Sequence, residues 1–256
     1  MLGKAFIMLA TMSGGDGEPV KAPVVKPAPV IAKAPLKVVT TPTAPATAVT
    51  PAVINAEYVV GKLQNYYAGI KRYRAQFRQT VTNATFGNKS LAAGNVYIKK
   101  PGKMRWDYQK PHRSSYISDG SRLWSVDHKK KQVVKMDLRR YVMSVAVTFL
   151  YGKGDLRRDF SATLLSNSKA GAKGDHVVTL VPRMPDARYK TLTLVVDPSD
   201  FRVKKSIIVT TQKETNEINF YSANITKPVK DGWFFFNEAK LKGKYKIIEP
   251  GKKGTR

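Results

Sequence analysis

The fold is decided by the segment YIKKPGKMRWDY at residues 97–108 and by DGSRLW at residues 119–124, which follows it closely. In the first segment Met104, Trp106 and Tyr108 lie on one side of the chain, and charged residues alternate with them on the other. This period of two is typical of a half-buried β-strand. Proline–glycine and aspartate–glycine pairs mark the turns. The sequence therefore predicts neighbouring antiparallel strands that share one apolar, aromatic face.

Strand-like runs of the same kind continue through most of the chain, separated by turns rich in Gly, Pro, Asn or Asp. They cover residues 73–82, 91–99, 103–108, 115–118, 123–127, 132–137, 160–166, 177–181, 191–196, 202–211, 217–226 and 233–236. An antiparallel sheet of about eleven strands usually closes into a barrel or splits into a sandwich. The predicted fold class is mainly β with helices (α+β).

Two segments favour helix over strand. Thr50 and Pro51 suit the N-cap and first position of a helix, and apolar or small residues then recur at helical spacing up to Ile70, with Gly69 as the stop. Residues 141–152 fit a second, apolar helix. Two such helices either fill the interior of a curled sheet or cover a ligand cavity as a lid. The aromatic side chains are then either a filled core or a cavity wall.

The chain before this domain has a different character. Residues 1–17 resemble a short secretory signal or leader, although an apolar leader from a misplaced start fits equally well. Residues 18–50 are rich in Pro and Ala and hold no aromatic residue, so they predict a disordered, semi-extended tether. The folded domain is expected at residues 51–256. No run of apolar residues is long enough to span a bilayer, so a soluble product is expected.

Composition excludes several functions. The chain has no cysteine, which removes disulfides, thiolate metal sites and a lipid-modified N-terminal Cys. Its three histidines, His112, His128 and His176, stand apart and have neither metal-ligand spacing nor a paired carboxylate. No phosphate-binding glycine loop or nucleophile elbow is present. We therefore expect no enzyme activity, no metal site and no cofactor.

The net charge of +27 favours anionic partners. A basic nucleic-acid or polyanion-binding protein is therefore an alternative, with bases stacking on exposed aromatic residues. The alternation in residues 103–108 speaks against it, because the aromatic side chains and the cations lie on opposite faces. Most Lys and Arg residues instead predict a solvated outer sheet face, and no nucleic-acid partner is expected.

The order of these parts resembles a known family, the periplasmic outer-membrane lipoprotein carrier protein (LolA) family. The resemblance is carried by FRQ at residues 77–79, GNVYIKKPGKMRW at 94–106, SDG at 118–120, LW at 123–124, FLYG at 149–152 and LVP at 180–182. It covers roughly residues 53–250, and the tail before it is not included. Residues 51–256 are accordingly expected to form a LolA-like lipoprotein carrier domain.

The resemblance implies an unclosed antiparallel β-barrel with a helical lid over a hydrophobic cavity that binds the acyl chains of lipoproteins. The wall residues of this acyl-chain-binding cavity would be Phe77, Val96, Ile98, Met104, Trp106, Tyr108, Leu123 and Trp124. The lid residues would be Val145, Phe149 and Leu150, held by Lys100. The family often has Arg where Lys100 stands, and Lys lacks the planar fork with which Arg grips carbonyl groups.

The resemblance also implies partners and a location. The family receives acylated lipoproteins from an inner-membrane lipoprotein-releasing ABC transporter and delivers them to an outer-membrane acceptor, either a receptor or a lipid surface. A soluble, monomeric, periplasmic shuttle is therefore expected here. A carrier of another lipid built on the same barrel is the alternative within this class, because the sequence does not identify the cargo.

Overall fold

A computed structural model describes residues 54–138, 154–241 and 243–250. Its centre is one sheet of twelve strands. The strands are β1 (Arg72–Asn83), β2 (Lys89–Lys99), β3 (Lys103–Lys110), β4 (Ser114–Asp119), β5 (Arg122–Asp127), β6 (Gln132–Asp137), β7 (Phe160–Leu165), β8 (His176–Pro182), β9 (Tyr189–Val196), β10 (Val203–Thr210), β11 (Glu214–Asn224) and β12 (Lys246–Ile248).

The sheet is open. Its strand order is β12-β6-β5-β4-β3-β2-β1-β11-β10-β9-β8-β7, so β12 and β7 form its two edges and are not paired with each other. All neighbours are antiparallel except β12 and β6. The predicted fold class is confirmed as a mainly β structure built on an unclosed antiparallel sheet. The strand predicted at residues 233–236 is wrong, because Asp231–Phe234 forms a 3-10 helix.

The first helix, α1 (Ala56–Gly69), lies against the sheet with one apolar face. The predicted start at Thr50 and Pro51 is wrong: the N-cap is Asn55, whose side chain accepts a hydrogen bond from the backbone N–H of Tyr58 at 2.8 Å. The predicted stop at Gly69 is confirmed. Buried residues of α1 are Val59, Val60, Gly61, Leu63 and Tyr67. All of them except Gly61 belong to the same apolar cluster as one face of the sheet.

Two short helices complete the described part, α2 (Leu156–Asp159) and α3 (Glu238–Leu241). The helix predicted at residues 141–152, the leader at 1–17 and the tether at 18–50 lie outside the described residues. None of the helices in the described ranges is long and apolar enough to cross a membrane.

The two faces of the sheet bury different clusters. The inner face, covered by α1, carries the larger cluster, which extends from β1 to β11. On the outer face a smaller cluster joins Ile117, Trp124, Val126 and Val133 to Phe236, with Leu241, Tyr245 and Ile247 packed against it. Residues 231–248, named here the C-terminal segment, therefore cover the outer face of β4 to β6.

Polar contacts fix the C-terminal segment to the sheet. Lys99 Nζ and Lys103 Nζ each lie 2.6 Å from the Asp231 carboxylate. Their hydrogen bonds, that of Lys103 first, lower the pKa of Asp231 to about 2. Closer to the end of the C-terminal segment, the hydroxyl of Tyr245 lies 2.9 Å from Nδ1 of His128. The outer face is thus closed by ion pairs and hydrogen bonds as well as by apolar packing.

Candidate hydrophobic binding face

The inner face gathers most of the side chains predicted for the cavity wall. Seven of the eight are buried in the inner cluster: Phe77, Val96, Ile98, Met104, Trp106, Tyr108 and Leu123. Each stands in the inward phase of its strand, where every second residue faces the same side. The alternation of apolar and polar residues in the sequence therefore predicted which side chains lie on this face.

Aromatic rings form the centre of the inner face. The ring centroid of Phe77 lies 4.9 Å from that of Trp106 and 5.0 Å from that of Tyr108, both edge to face. Trp106 is 6.3 Å from Phe220, and Tyr108 is 5.8 Å from Tyr116. Edge-to-face pairs at these distances are favourable. In the described residues this part of the interior is closely packed.

Trp124 does not lie with them. It is fully buried in the cluster on the outer face, so its predicted place on the cavity wall is wrong. The physical reason is that Leu123 and Trp124 are neighbours in β5, and neighbouring side chains of a strand point to opposite faces. The side chain of Leu123 lies on the inner face, so that of Trp124 lies on the outer face.

A pocket of about 280 Å³ opens at one end of the inner face. It lies between the β1–β2 hairpin, the β3–β4 turn and the end of β5. Its lining consists of Gln79, Val81, Ser90, Leu91, Ala92, Tyr108, Lys110, Pro111, His112, Arg113, Ser114, Tyr116, Ser125, Val126 and Asp127. This volume is just below the ~300 Å³ at which pockets for small molecules usually begin. The pocket gives the inner face an opening whose lining includes both apolar side chains and the basic residues Lys110 and Arg113.

Polar side chains are buried on the inner face as well. Gln79 Nε2 donates to Asn216 Oδ1 at 2.8 Å, and Ser206 stands one strand further on. Within the described residues, Trp106 Nε1, Asn216 Nδ2 and Ser206 Oγ have no hydrogen-bond partner. Such buried, unsatisfied groups are uncommon and often belong to functional sites. Gln79, Ser206 and Asn216 were not predicted as site residues from the sequence, although a polar residue at an inward-facing position of a strand could have indicated them.

Burial raises the pKa values of phenols on the inner face. It raises the pKa of Tyr108 far above the ordinary value, with a further contribution from Tyr116, and it also raises the pKa of Tyr116. These phenols are neutral at physiological pH even at their ordinary pKa, and burial makes their ionisation still less favourable, so they present mainly apolar surface.

In the described ranges one small group of potentially reactive side chains, Ser115, Asp107 and His128, lies close together. No group of three His, Cys, Asp or Glu side chains there could hold a metal ion. Ser115 Oγ donates to Asp107 Oδ1 at 2.7 Å and lies 3.4 Å from His128 Nε2. In a hydrolytic triad the carboxylate orients the histidine, whereas here it accepts from the serine. The cluster is a polar contact of the outer face.

A family model described as outer membrane lipoprotein carrier protein LolA matches residues 68–237. The chain belongs to the LolA family. The match covers β1 to β11 and stops within the segment that crosses the outer face.

Curated relatives named outer-membrane lipoprotein carrier protein support the same assignment. The protein of Methylobacillus flagellatus is 28% identical over 135 residues, which are 53% of this chain and 64% of that protein. The protein of Chromobacterium violaceum is 33% identical over 116 residues, which are 45% of this chain and 53% of that protein. The protein of Nitrosospira multiformis is 32% identical over 101 residues, which are 40% of this chain and 49% of that protein. The chain thus spans about half to two thirds of the length of these LolA relatives.

Solved structures give a more distant likeness. A LolA superfamily protein from Nitrosomonas europaea has a TM-score of 0.40 and 12% identity, covering 72% of this chain and 99% of that chain. The Mycobacterium tuberculosis lipoprotein LppX has a TM-score of 0.39 and 10% identity, and the match covers 68% of this chain and 98% of that chain. The LolA assignment rests on the sequence match.

Lys100 reaches the covering helix in this LolA family member. Its Nζ donates to the backbone carbonyl of Tyr67, in the last turn of α1, and burial lowers the pKa of Lys100. A cation at the C-terminal end of a helix interacts favourably with its dipole. The other predicted lid residues, Val145, Phe149 and Leu150, lie outside the described residues.

Gly94 allows the Phe77 ring to lie close to β2. A Cβ at Gly94 would lie 2.0 Å from the Asp107 carbonyl oxygen and 3.0 Å from Phe77 Cε1. We expect Gly94→Ala to lower the free energy of unfolding by about 1–3 kcal/mol in urea titrations, because backbone or ring must shift. Gly69→Ala is the control, since nothing lies within 4 Å of the position that its added methyl group would take. Equal stability of the two variants would contradict this account of Gly94.

Proposed function

We propose that this protein is a periplasmic carrier that binds the acyl chains of lipoproteins against its inner face and shuttles them from the inner to the outer membrane. The observation that carries the proposal is the inner face itself. It is a mainly apolar surface on an open sheet, with α1 packed against it and a pocket at its end beside the β1–β2 hairpin. The LolA match and the names of the curated relatives support the same function.

Acyl-chain transfer requires an apolar surface that can open. Each buried CH₂ contributes about 0.8 kcal/mol, so an unprotected lipid chain crosses water at a high cost. The existing pocket holds part of such a chain. The chain would be accommodated by moving α1, whose C-terminal end is held by Lys100, away from the inner face. No covalent chemistry is needed, only a difference in affinity between the closed and open states.

The unsatisfied polar groups of the inner face suit such a cargo. Trp106 Nε1 and Asn216 Nδ2 are buried hydrogen-bond donors without a partner among the described residues. The ester and amide carbonyls that join acyl chains to a lipoprotein would satisfy them. Leaving a buried donor unsatisfied costs about 1–3 kcal/mol, so the loaded state would recover this cost.

The remaining features of the proposal concern partners and organisation. The cargo would come from an inner-membrane lipoprotein-releasing ABC transporter and pass to an outer-membrane acceptor. The protein would act as a monomer without enzyme activity or cofactor. Residues 51–256 would form the carrier domain, with a leader at 1–17 and a tether at 18–50. Val145, Phe149 and Leu150 would contribute to the lid together with α1.

The first test is native mass spectrometry of the full chain with a triacylated lipopeptide and with the same peptide lacking its acyl groups. We expect one lipopeptide bound to each protein and no binding of the unacylated peptide. Binding of neither peptide would contradict the proposal. Binding of both alike would indicate recognition of the peptide instead of the acyl chains.

A further inference from the structure

Three turns at one end of the sheet form a basic surface. The strand directions bring together the β1–β2 hairpin (residues 84–88), the β3–β4 turn (111–113) and the β5–β6 turn (128–131), because alternate turns of an antiparallel sheet lie on the same side. We name these three turns, with the strand residues beside them, the basic end.

The basic end holds six exposed cations, which are Lys89, Lys110, Arg113, Lys129, Lys130 and Lys131. Asp127 lies beside them, and its carboxylate accepts a hydrogen bond from the backbone N–H of Lys130, while Glu214 stands opposite Asn83 at the base of the β1–β2 hairpin. Among the described residues none of the six forms an ion pair, whereas Lys99, Lys103 and Arg105 on the outer face are paired with Asp231 or Asp107. The positive charge of the basic end is therefore not compensated.

Exposed apolar side chains stand among these cations. Phe86, at the tip of the β1–β2 hairpin, is 74% exposed, and Leu91, in β2, is 68% exposed. Leu91 also lines the pocket that leads to the inner face, together with Lys110 and Arg113. A large apolar side chain at a hairpin tip contributes nothing to the core of this fold. An exposed apolar side chain surrounded by cations suits a binding partner that is charged at its surface and apolar beneath it.

We propose that the basic end docks on an anionic phospholipid bilayer, with Phe86 entering the headgroup region and the cations contacting lipid phosphates. The proposal rests on the proposed function in one respect: it places the opening of the acyl-chain pocket at the membrane. Cargo chains would then pass between the inner face and the bilayer without crossing bulk water.

A bilayer fits these residues better than a nucleic acid does. Lys and Arg near an anionic membrane surface are attracted to it, and aromatic side chains insert at its interface. A single-stranded nucleic acid would require several aromatic platforms along the basic groove. The basic end offers two exposed rings on separate turns, Phe86 and the imidazole of His112, and its other exposed apolar residue, Leu91, is aliphatic.

Vesicle sedimentation of the full chain tests the proposal at ~0.15 M salt. Vesicles of phosphatidylglycerol and phosphatidylcholine are compared with pure phosphatidylcholine. We expect binding to the anionic vesicles only. The double variant Lys129→Gln/Lys130→Gln should weaken it roughly 30-fold, and Phe86→Ser roughly tenfold.

The matched control is Lys169→Gln/Lys173→Gln, which removes the same charge from the β7–β8 loop at the opposite end of the sheet. It should bind anionic vesicles like the original chain. An equal loss in this control, or no binding to anionic vesicles, would overturn the proposal. So would binding of a single-stranded oligonucleotide that depends on Lys129 and Lys130 while Phe86→Ser leaves vesicle binding unchanged.

Lipopeptide binding measured without vesicles separates the two proposals. If the lipopeptide binds but anionic vesicles do not, the carrier function stands and membrane docking fails. If vesicles bind and the lipopeptide does not, the carrier function fails and the basic end remains a membrane-binding surface.

Discussion

Ala92→Trp is expected to weaken binding of a triacylated lipopeptide about a hundredfold. Ala92 is partly buried against the inner cluster and lines the pocket at the end of the inner face. A tryptophan side chain there would occupy the space that the first methylenes of an acyl chain enter. Excluding about four methylenes at ~0.8 kcal/mol each corresponds to ~3 kcal/mol, or roughly two powers of ten in affinity.

The neighbouring residue supplies the control for this prediction. Ala93 pairs with the exposed Arg78 on β1 and does not belong to the pocket lining. Ala93→Trp adds the same side chain one position away, on the other face of β2, so lipopeptide affinity should stay within about threefold of the original. Affinity is measured by titration in native mass spectrometry, with circular dichroism as the check on folding. Equal losses in both variants would place the acyl chains elsewhere.

The period of two in the sequence was sufficient to predict most of the sheet. Where one face is buried and the other carries charged, partly exposed side chains, as in Lys103–Lys110, alternate apolar residues identify both the strand and its inward side. For this reason Met104, Trp106 and Tyr108 were predicted correctly as inner-face residues. Their binding of acyl chains stays a prediction.

The same signal fails where both faces are buried. In β4 and β5 consecutive residues such as Leu123 and Trp124 are both apolar, because the C-terminal segment covers the outer face. Nothing in the local sequence indicates that cover. The aromatic run at residues 233–236 was mistaken for a strand for a related reason: its side chains pack against the sheet from outside, with Trp233 5.1 Å from Tyr97.

The pocket and the basic end depend on strand direction, which no short motif contains. Lys110 and Arg113 are distant in sequence from Lys129 and Lys130, and only the antiparallel order of β3 to β6 places them at one end. The positive net charge is therefore evident from the sequence, but most of the Lys and Arg residues were predicted to lie on a solvated outer face of the sheet. The structure separates paired cations on that face from the unpaired ones at the basic end.

Trp124→Ala is expected to cause the largest loss of stability and no loss of acyl-chain binding. Trp124 is fully buried, its Nε1 donates to Glu238 Oε1 at 2.9 Å, and its ring centroid lies 5.8 Å from that of Phe235. Truncating such a residue costs about 3–5 kcal/mol, measured by urea unfolding. Because these contacts hold the C-terminal segment, hydrogen exchange should rise over residues 231–248.

Leu123→Asn is the counterpart on the inner face. Leu123 is 2% exposed, and an amide of similar size there would be buried without a designed partner, which costs about 1–3 kcal/mol. Because Leu123 belongs to the inner cluster, this variant should also weaken lipopeptide binding about tenfold, at a temperature where all three proteins are folded. Trp124→Ala should bind like the original chain under the same conditions. If Trp124→Ala lost affinity and Leu123→Asn kept it, the acyl chains would lie on the outer face, beneath the C-terminal segment.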